Sequence, residues 1–169
     1  MTKQWLIGAG LTLACLTGAF SKGAFAQNPN VDVVGVWNLV SVTAEDIQSH
    51  RIFPFAGTHP VGHIIYAPNG YMSVLFTSSG RSPIDRESGH RTEEAAQLFW
   101  TLVAYAGTYT VDDKTITHHV DVAGDPSLVG TDQIRHARLV GDTLVLRSPP
   151  MPGPDRSEYE IEATWIRAK

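Results

Sequence analysis

The residues best suited to chemistry are His118 and His119, side by side in the stretch TITHHVDV that runs from Thr115 to Val122. Imidazole titrates near neutrality, moves protons and binds metal ions. The pair could be a metal site, a base with its neighbour, or one buried and one solvated residue. Their surroundings alternate as in a strand, where successive side chains point to opposite faces. Adjacent histidines in such a strand cannot grip one ion. None of the seven histidines forms H-x-x-x-H on a helix or H-x-H on a strand, so no metal and no cofactor is expected. His119 shares the outward face with Asp121 and could hold a surface ion, as could His136, but a solvated face is the simpler expectation. Gly-rich phosphate loops and Ser-His-Asp signatures find no match. Asp112-Asp113 reads as a turn before a ligand pair, and Glu158, Glu160 and Glu162 fall on the wet face of a last strand.

The same alternation predicts which side chains join His118. Ile116, His118, Val120 and Val122 form one mostly apolar set, opposite Thr115, Thr117, His119 and Asp121. His118 therefore faces an interior and His119 faces solvent. An even-length loop around Asp112-Asp113 brings Tyr105, Gly107, Tyr109 and Val111 to the side of His118. In DQIRHARLVGDTLVLRS, a two-residue Gly141-Asp142 turn pairs Val140 with Thr143 and Leu139 with Leu144. Gln133, Arg135, Ala137 and Leu139 then face inward with Leu144 and Leu146, while His136 and Arg138 point out. The predicted interior set is Tyr105, Tyr109, His118, Gln133 and Arg135 among aliphatic neighbours. An inward guanidinium needs a partner, water or a ligand.

The remaining elements must form the wall that holds this set. VGHIIYAPNGYMSVLFT reads as a hairpin about Asn69-Gly70, the dipeptide suited to a type I′ turn. One of its faces then carries Ile64, Tyr66, Ser73 and Leu75, the other His63, Ile65, Met72, Val74 and Phe76. Both are apolar enough for burial, and the sequence does not choose. VVGVWNLVSVTAED, RIFPF and SEYEIEATWIR supply further extended segments. One segment breaks the rhythm: TEEAAQLFWTLVA has an N-cap candidate in Thr92 and apolar residues Ala95, Leu98, Phe99, Leu102 and Val103 at helical spacing. The polar connection before it, Ser78 to His90, is long enough for a functional lid, taken here as residues 78–104. The inventory is all-β: about eight short strands and one helix capping or packing on them, most simply one antiparallel barrel or sandwich.

The first 26 of the 169 residues read as a secretory signal peptide: basic Lys3, an apolar run from Trp5 to Leu16, then Ala24-Phe25-Ala26. Residues 27–33 are a short lead-in, and 34–169 form the domain. The apolar run is shorter than the roughly 20 residues a membrane-spanning helix needs, so no membrane insertion is expected after cleavage. Losing Lys3 and Lys22 takes Lys+Arg from 13 to about 11 against 17 acidic residues, a net charge of about −6. No basic stripe remains for nucleic acid. The single cysteine, Cys15, leaves with the leader, which rules out a disulfide, a thiol nucleophile or a thiolate ligand in the remainder. The expected destination is export, to the periplasm or beyond.

Gly35-Val36-Trp37 opens the first strand as G-x-W does in lipocalins and their relatives, where the tryptophan plugs the closed end under an arginine from the last strand. Trp165-Ile166-Arg167 offers that arginine. GVWNLVS, PVGHIIYAPNGYMSV, AYAGTYTVDDKTITHHVDV, LVGTDQIRHARLVGDTLVLRSPP and TWIR follow in the order seen in the bacterial and fungal lipocalin-like domain family, which this chain resembles over almost all its length after the leader. Departures are few: the family often has Glu where Asp121 stands, and an Asn-Trp pair near Ser127-Leu128. The resemblance implies a calycin-type barrel with an internal cavity and no particular substrate.

The expected function is capture of a small, partly apolar, anionic or carbonyl-bearing molecule, with Arg135 at its polar head and the tyrosines as flat apolar contacts. Two alternatives use the same residues. One is a cofactor-independent isomerase or cyclase with His118 as acid/base and a tyrosine donating to an oxyanion. The other is a packed structural barrel filled by its own polar side chains.

Overall fold

Period-two patterning over so short a chain must stack two sheets or close one on itself, and here it closes. The computed structural model describes residues 32–85, 87, 89–153 and 157–169; the expected leader lies outside them. In chain order the elements are β1 (Gly35–Asp46), β2 (Ile52–Pro54), β3 (Val61–Tyr66), β4 (Tyr71–Thr77), α1 (Arg91–Trp100), β5 (Leu102–Asp112), β6 (Thr115–Ala123), β7 (Asp132–Val140), β8 (Thr143–Arg147), β9 (Met151–Pro152) and β10 (Glu158–Arg167). Going round the barrel, the antiparallel order is β1-β3-β4-β5-β6-β7-β8-β10, and β10 returns to β1. Closure pairs both would-be edges, so the wall presents no unpaired ladder. β2 and β9 are short additions beside β1 and β10.

The tight turns of the three wall hairpins, β3–β4, β5–β6 and β7–β8, lie at one end, which is the floor. There Trp37 is fully buried and its Nε1 donates to Val33 O at 2.8 Å. Arg167 lies over the Trp37 ring at 4.1 Å and donates to Val34 O (2.8 Å) and Asp32 O (3.2 Å). Gly35 stands at φ +135°, and a Cβ there would come within 2.9 Å of Arg167 Nη1. The G-x-W glycine thus makes room for the guanidinium that covers the tryptophan. At the other end the connections are long: 47–60, 78–101, 124–131 and 148–157.

Three expectations need correction. The first hairpin does not turn through two residues. Ala67 N bonds Tyr71 O, Gly70 N bonds Ala67 O, and of the loop residues only Gly70 takes a positive φ, +86°. This is a three-residue loop, a turn with Pro68 at its second position closed by a left-handed glycine. The odd loop pairs Tyr66 with Met72 and Ile64 with Val74. Ile64, Tyr66, Met72 and Val74 are buried together, while Ile65, Tyr71 and Leu75 face out. The even loop assumed from Asn69-Gly70 had mixed the two faces, which is why both looked apolar.

The second correction concerns β6. Gly107 pairs with Val120 but Ala106 pairs with Val122, so Asp121 is an extra, bulged residue. A Cβ on Gly107 would sit 1.9 Å from His119 O, so only glycine lets the strands approach there. Past the bulge the parity flips: Val122, expected inside, is 61% exposed, and Ala123 packs on the core in its place.

The third is the helix. It starts at Arg91 with His90 as N-cap rather than at Thr92, buries no residue, and ends before Leu102 and Val103, which belong to β5. The apolar spacing read across the boundary joined two different elements. The even loop of the second hairpin (Asp112 paired with Thr115) and the two-residue Gly141-Asp142 turn stand as expected.

Candidate functional site

A cavity of about 410 Å³ opens from the long-loop end into the barrel. Its walls are mainly apolar, from Val42, Ile64, Val74, Phe76, Val103 and Leu146, with Phe55, Leu128 and Met151 among its remaining apolar residues. Polar groups converge from β5, β6 and β7: Tyr105, His118, Gln133 and Arg135 line it, and Asp132 and Ser148 belong to the lining as well. The alternation that placed the first four inward is realised by the ladder, where His118 pairs with Gln133 and Ile116 with Arg135. No described residue of 78–101 lines the cavity. That segment is tied to itself, Arg81 to Leu98 O and Asp85 N to Glu94, and to the barrel through Ser78 N–Thr101 O and Ser79 N–Ala56 O.

Tyr109, grouped with the other four by sequence, does not line the cavity. Its hydroxyl donates to Ala67 O at 3.1 Å, and its ring meets Tyr66 edge-on at 4.9 Å. It closes the floor next to the Pro68–Gly70 loop. Tyr66, which sequence reasoning left unplaced, is the direct partner of His118: its hydroxyl lies 2.7 Å from Nε2, and the Tyr105 hydroxyl 2.9 Å from Nδ1. The signal that could have found it is Pro68, suited to the second position of a turn closed by Gly70, which makes the loop odd.

His118 is 1% exposed. Burial, then the positive charge of Arg135 and of His119, lowers its pKa from 6.5 to about 3, so the imidazole is neutral at physiological pH. Burial also raises Tyr66 well above the ordinary phenol value, with Tyr105 adding to the rise. Tyr105 is raised by burial as well, opposed by the charge of Arg135 and its hydrogen bond to the phenol oxygen.

Hydrogen-bond satisfaction assigns the tautomer. The imidazole is the hydrogen-bond partner of the buried Tyr66 hydroxyl, and a buried O–H left without an acceptor costs about 1–3 kcal/mol. Tyr66 therefore donates to Nε2, the ring proton resides on Nδ1, and Nδ1 donates to the Tyr105 oxygen. The Tyr105 O–H is left to point onward into the cavity beside Arg135. Both imidazole nitrogens are occupied, so His118 has none free to take a proton from a bound molecule.

Arg135 donates to Ile134 O (2.7 Å) and Gln133 Oε1 (3.4 Å), and Gln133 is held in turn by Thr131 (3.0 Å). A guanidinium has five N–H donors, so several remain for the cavity. Among the described residues no carboxylate pairs with it; the ion pairs are those of His50, His119, Arg147 and Arg167.

On the outer face His119 Nδ1 meets Asp132 at 2.7 Å and Nε2 meets Thr110 Oγ1 at 3.1 Å. The partner of His119 is thus Asp132 rather than the bulged Asp121. Hydroxyl, imidazole and carboxylate stand in series there on a largely exposed strand surface, with only Asp132 also belonging to the cavity lining. Among the described residues no group of three or more His, Cys, Asp or Glu stands close enough to hold a metal ion. No described helix is long and apolar enough to cross a membrane.

No curated protein matches this sequence. A family model, described as a lipocalin-like domain, matches residues 34–168, which is the whole barrel from the residue before Gly35 to the one after Arg167. With that match and a closed antiparallel eight-stranded wall around a cavity, the chain belongs to the lipocalin-like domain family.

Proposed function

We propose that this is an exported binding protein that takes a small, largely apolar anion into the barrel, its acidic head on Arg135. The observation that carries the reading is Arg135 itself: a half-buried cation with no carboxylate partner among the described residues, in the wall of an apolar cavity of about 410 Å³. Asp132, the carboxylate in the lining, is bonded to His119 and not to Arg135, so the cation favours an anion there, and the volume falls in the usual range for small-molecule pockets. Export is the reading that the first 26 residues support. The occupied nitrogens of His118 favour binding over proton abstraction by that residue, and any proton given to a bound carbonyl would come from Tyr105.

The test is titration of the purified protein with the apolar fluorescent anion 1-anilinonaphthalene-8-sulfonate and its displacement by straight-chain carboxylates of 8 to 12 carbons. Saturable, displaceable binding is expected. Loss of charge-assisted hydrogen bonds of about 1.5–3 kcal/mol predicts roughly 10- to 100-fold weaker carboxylate binding in Arg135→Ala. No saturable binding, or equal affinity in that variant, overturns the proposal.

A further inference from the structure

The strands β3 (VGHIIY) and β4 (YMSVLFT) contain no aspartate, glutamate, lysine or arginine. Their inward residues fill the core. Their outward residues meet water, where an antiparallel sheet normally carries polar side chains. Here Val61, Ile65, Tyr71 and Leu75 point outward instead, each between 41% and 68% exposed.

The register joins them into one surface, because directly paired residues share a face. Ile65 pairs with Val36 on β1, and Asn38, the next outward residue of β1, pairs with His63 on one side and Ile166 on the other. Towards β5, Leu75 pairs with Ala104, Ser73 with Ala106 and Tyr71 with Thr108. Val36, Val40 and Ile166 are exposed as well. The two polar side chains in the middle answer each other, His63 Nδ1 donating to Asn38 Oδ1 at 2.8 Å. None of these residues is a carboxylate, an ammonium or a guanidinium. The far wall differs: there Arg147 pairs with Glu162 and bonds Glu160, and Arg138 stands outward on β7.

We propose that this side of the barrel is where two copies of the chain meet, face to face about a two-fold axis. Such a contact sets one patch against itself, so any charge within it would oppose its own sign. A chain of net charge −4 meets its copy without that opposition only at a charge-free face. Anionic lipid or nucleic acid would call on cations, and this face offers none. The apolar side chains leave on the order of 600 Å² open, the upper end of what a monomer shows. With the neutral polar residues among them the face nears the roughly 800 Å² per partner of a stable pair. The closed wall has no strand edge to add to, so the contact is made by side chains. The cavity opens at the end of the barrel and stays clear in the pair.

The experiment is sedimentation-velocity ultracentrifugation of the purified protein from micromolar to submillimolar concentration. It is run on wild type, on Leu75→Glu and Ile65→Lys within the face, and on Val140→Glu on β7 away from it. All three side chains are exposed, so the fold should persist in each variant, as circular dichroism checks. Wild type should approach twice the mass of one chain as concentration rises. Either face variant should associate about 100-fold or more weakly, because each pair would bury two uncompensated charges, while Val140→Glu should behave as wild type. A wild type that stays a single chain throughout overturns the proposal. A pair that survives both face variants, or that Val140→Glu weakens as much, overturns it too. Should neither face variant fold, the backbone amide resonances of ¹⁵N-labelled wild type on dilution decide. Shifts confined to β1, β3, β4 and β5 support the proposal; shifts elsewhere, or none, overturn it.

Discussion

Lowering the pH from 7 to 5 should cost the folded protein about 2 kcal/mol through His118 alone. The folded pKa is about 3 against an ordinary value of 6.5, because burial and the nearby charges of Arg135 and His119 oppose protonation. The unfolded chain therefore takes up the proton first. This contribution to stability is whole above about pH 6.5 and is lost as pH falls towards 3, with a slope approaching about 1.4 kcal/mol per pH unit. Integrated between pH 7 and 5 that slope gives about 2 kcal/mol, because the fall begins only below 6.5. The assay is urea unfolding of wild type and His118→Gln at both pH values. Glutamine keeps an amide donor and acceptor for the two tyrosine hydroxyls but cannot titrate. Its baseline loss of stability cancels, since each protein is compared with itself across pH. Carboxylates and the exposed histidines contribute equally to both proteins. The wild type should lose about 2 kcal/mol more than the variant, several degrees of Tm for a domain of this size. Equal losses in the two, within about 0.5 kcal/mol, would refute the buried, neutral, doubly hydrogen-bonded imidazole.

Tyr109→Phe should cost about 0.5–1.5 kcal/mol, the worth of its bond to Ala67 O, and leave carboxylate affinity unchanged, as measured by urea unfolding and dye displacement. Gly107→Ala should destabilise by well over 2 kcal/mol or prevent folding, because its Cβ would collide with the His119 backbone oxygen at the bulge; circular dichroism on heating reads this directly. Arg167→Ala should cost about 2–3 kcal/mol in denaturant unfolding, since it removes two hydrogen bonds and the cover over Trp37 while touching nothing in the cavity.

The sequence by itself determined the class of object and one wall of the site. Alternation with period two is a local property of the chain, and it survives wherever the turn between two strands has the assumed parity. It does at Gly141-Asp142 and in the even loop before Thr115, so His118, Gln133, Arg135 and Tyr105 could be set together from the sequence. It fails where one residue is added. Three residues in the Pro68–Gly70 loop turned Tyr66 inward, and the bulged Asp121 turned Val122 out. A single extra residue exchanges every face beyond it, and the sequence carries only faint marks of it, a proline at one place and a glycine at the other.

What only the tertiary structure decided is what closure brings together. The tyrosine, histidine and tyrosine in series come from β3, β6 and β5, and Tyr66 and His118 stand 52 residues apart in the chain. Tyr109 has the right parity but the wrong depth, and depth along a barrel depends on how all the strands are staggered. Trp165 could be read as part of a closing signature, but its place in the lining of the cavity is a property of the closed barrel. Hydrogen bonding is short-ranged and directional, so which donors remain for a ligand is a property of the closed barrel and not of any one strand.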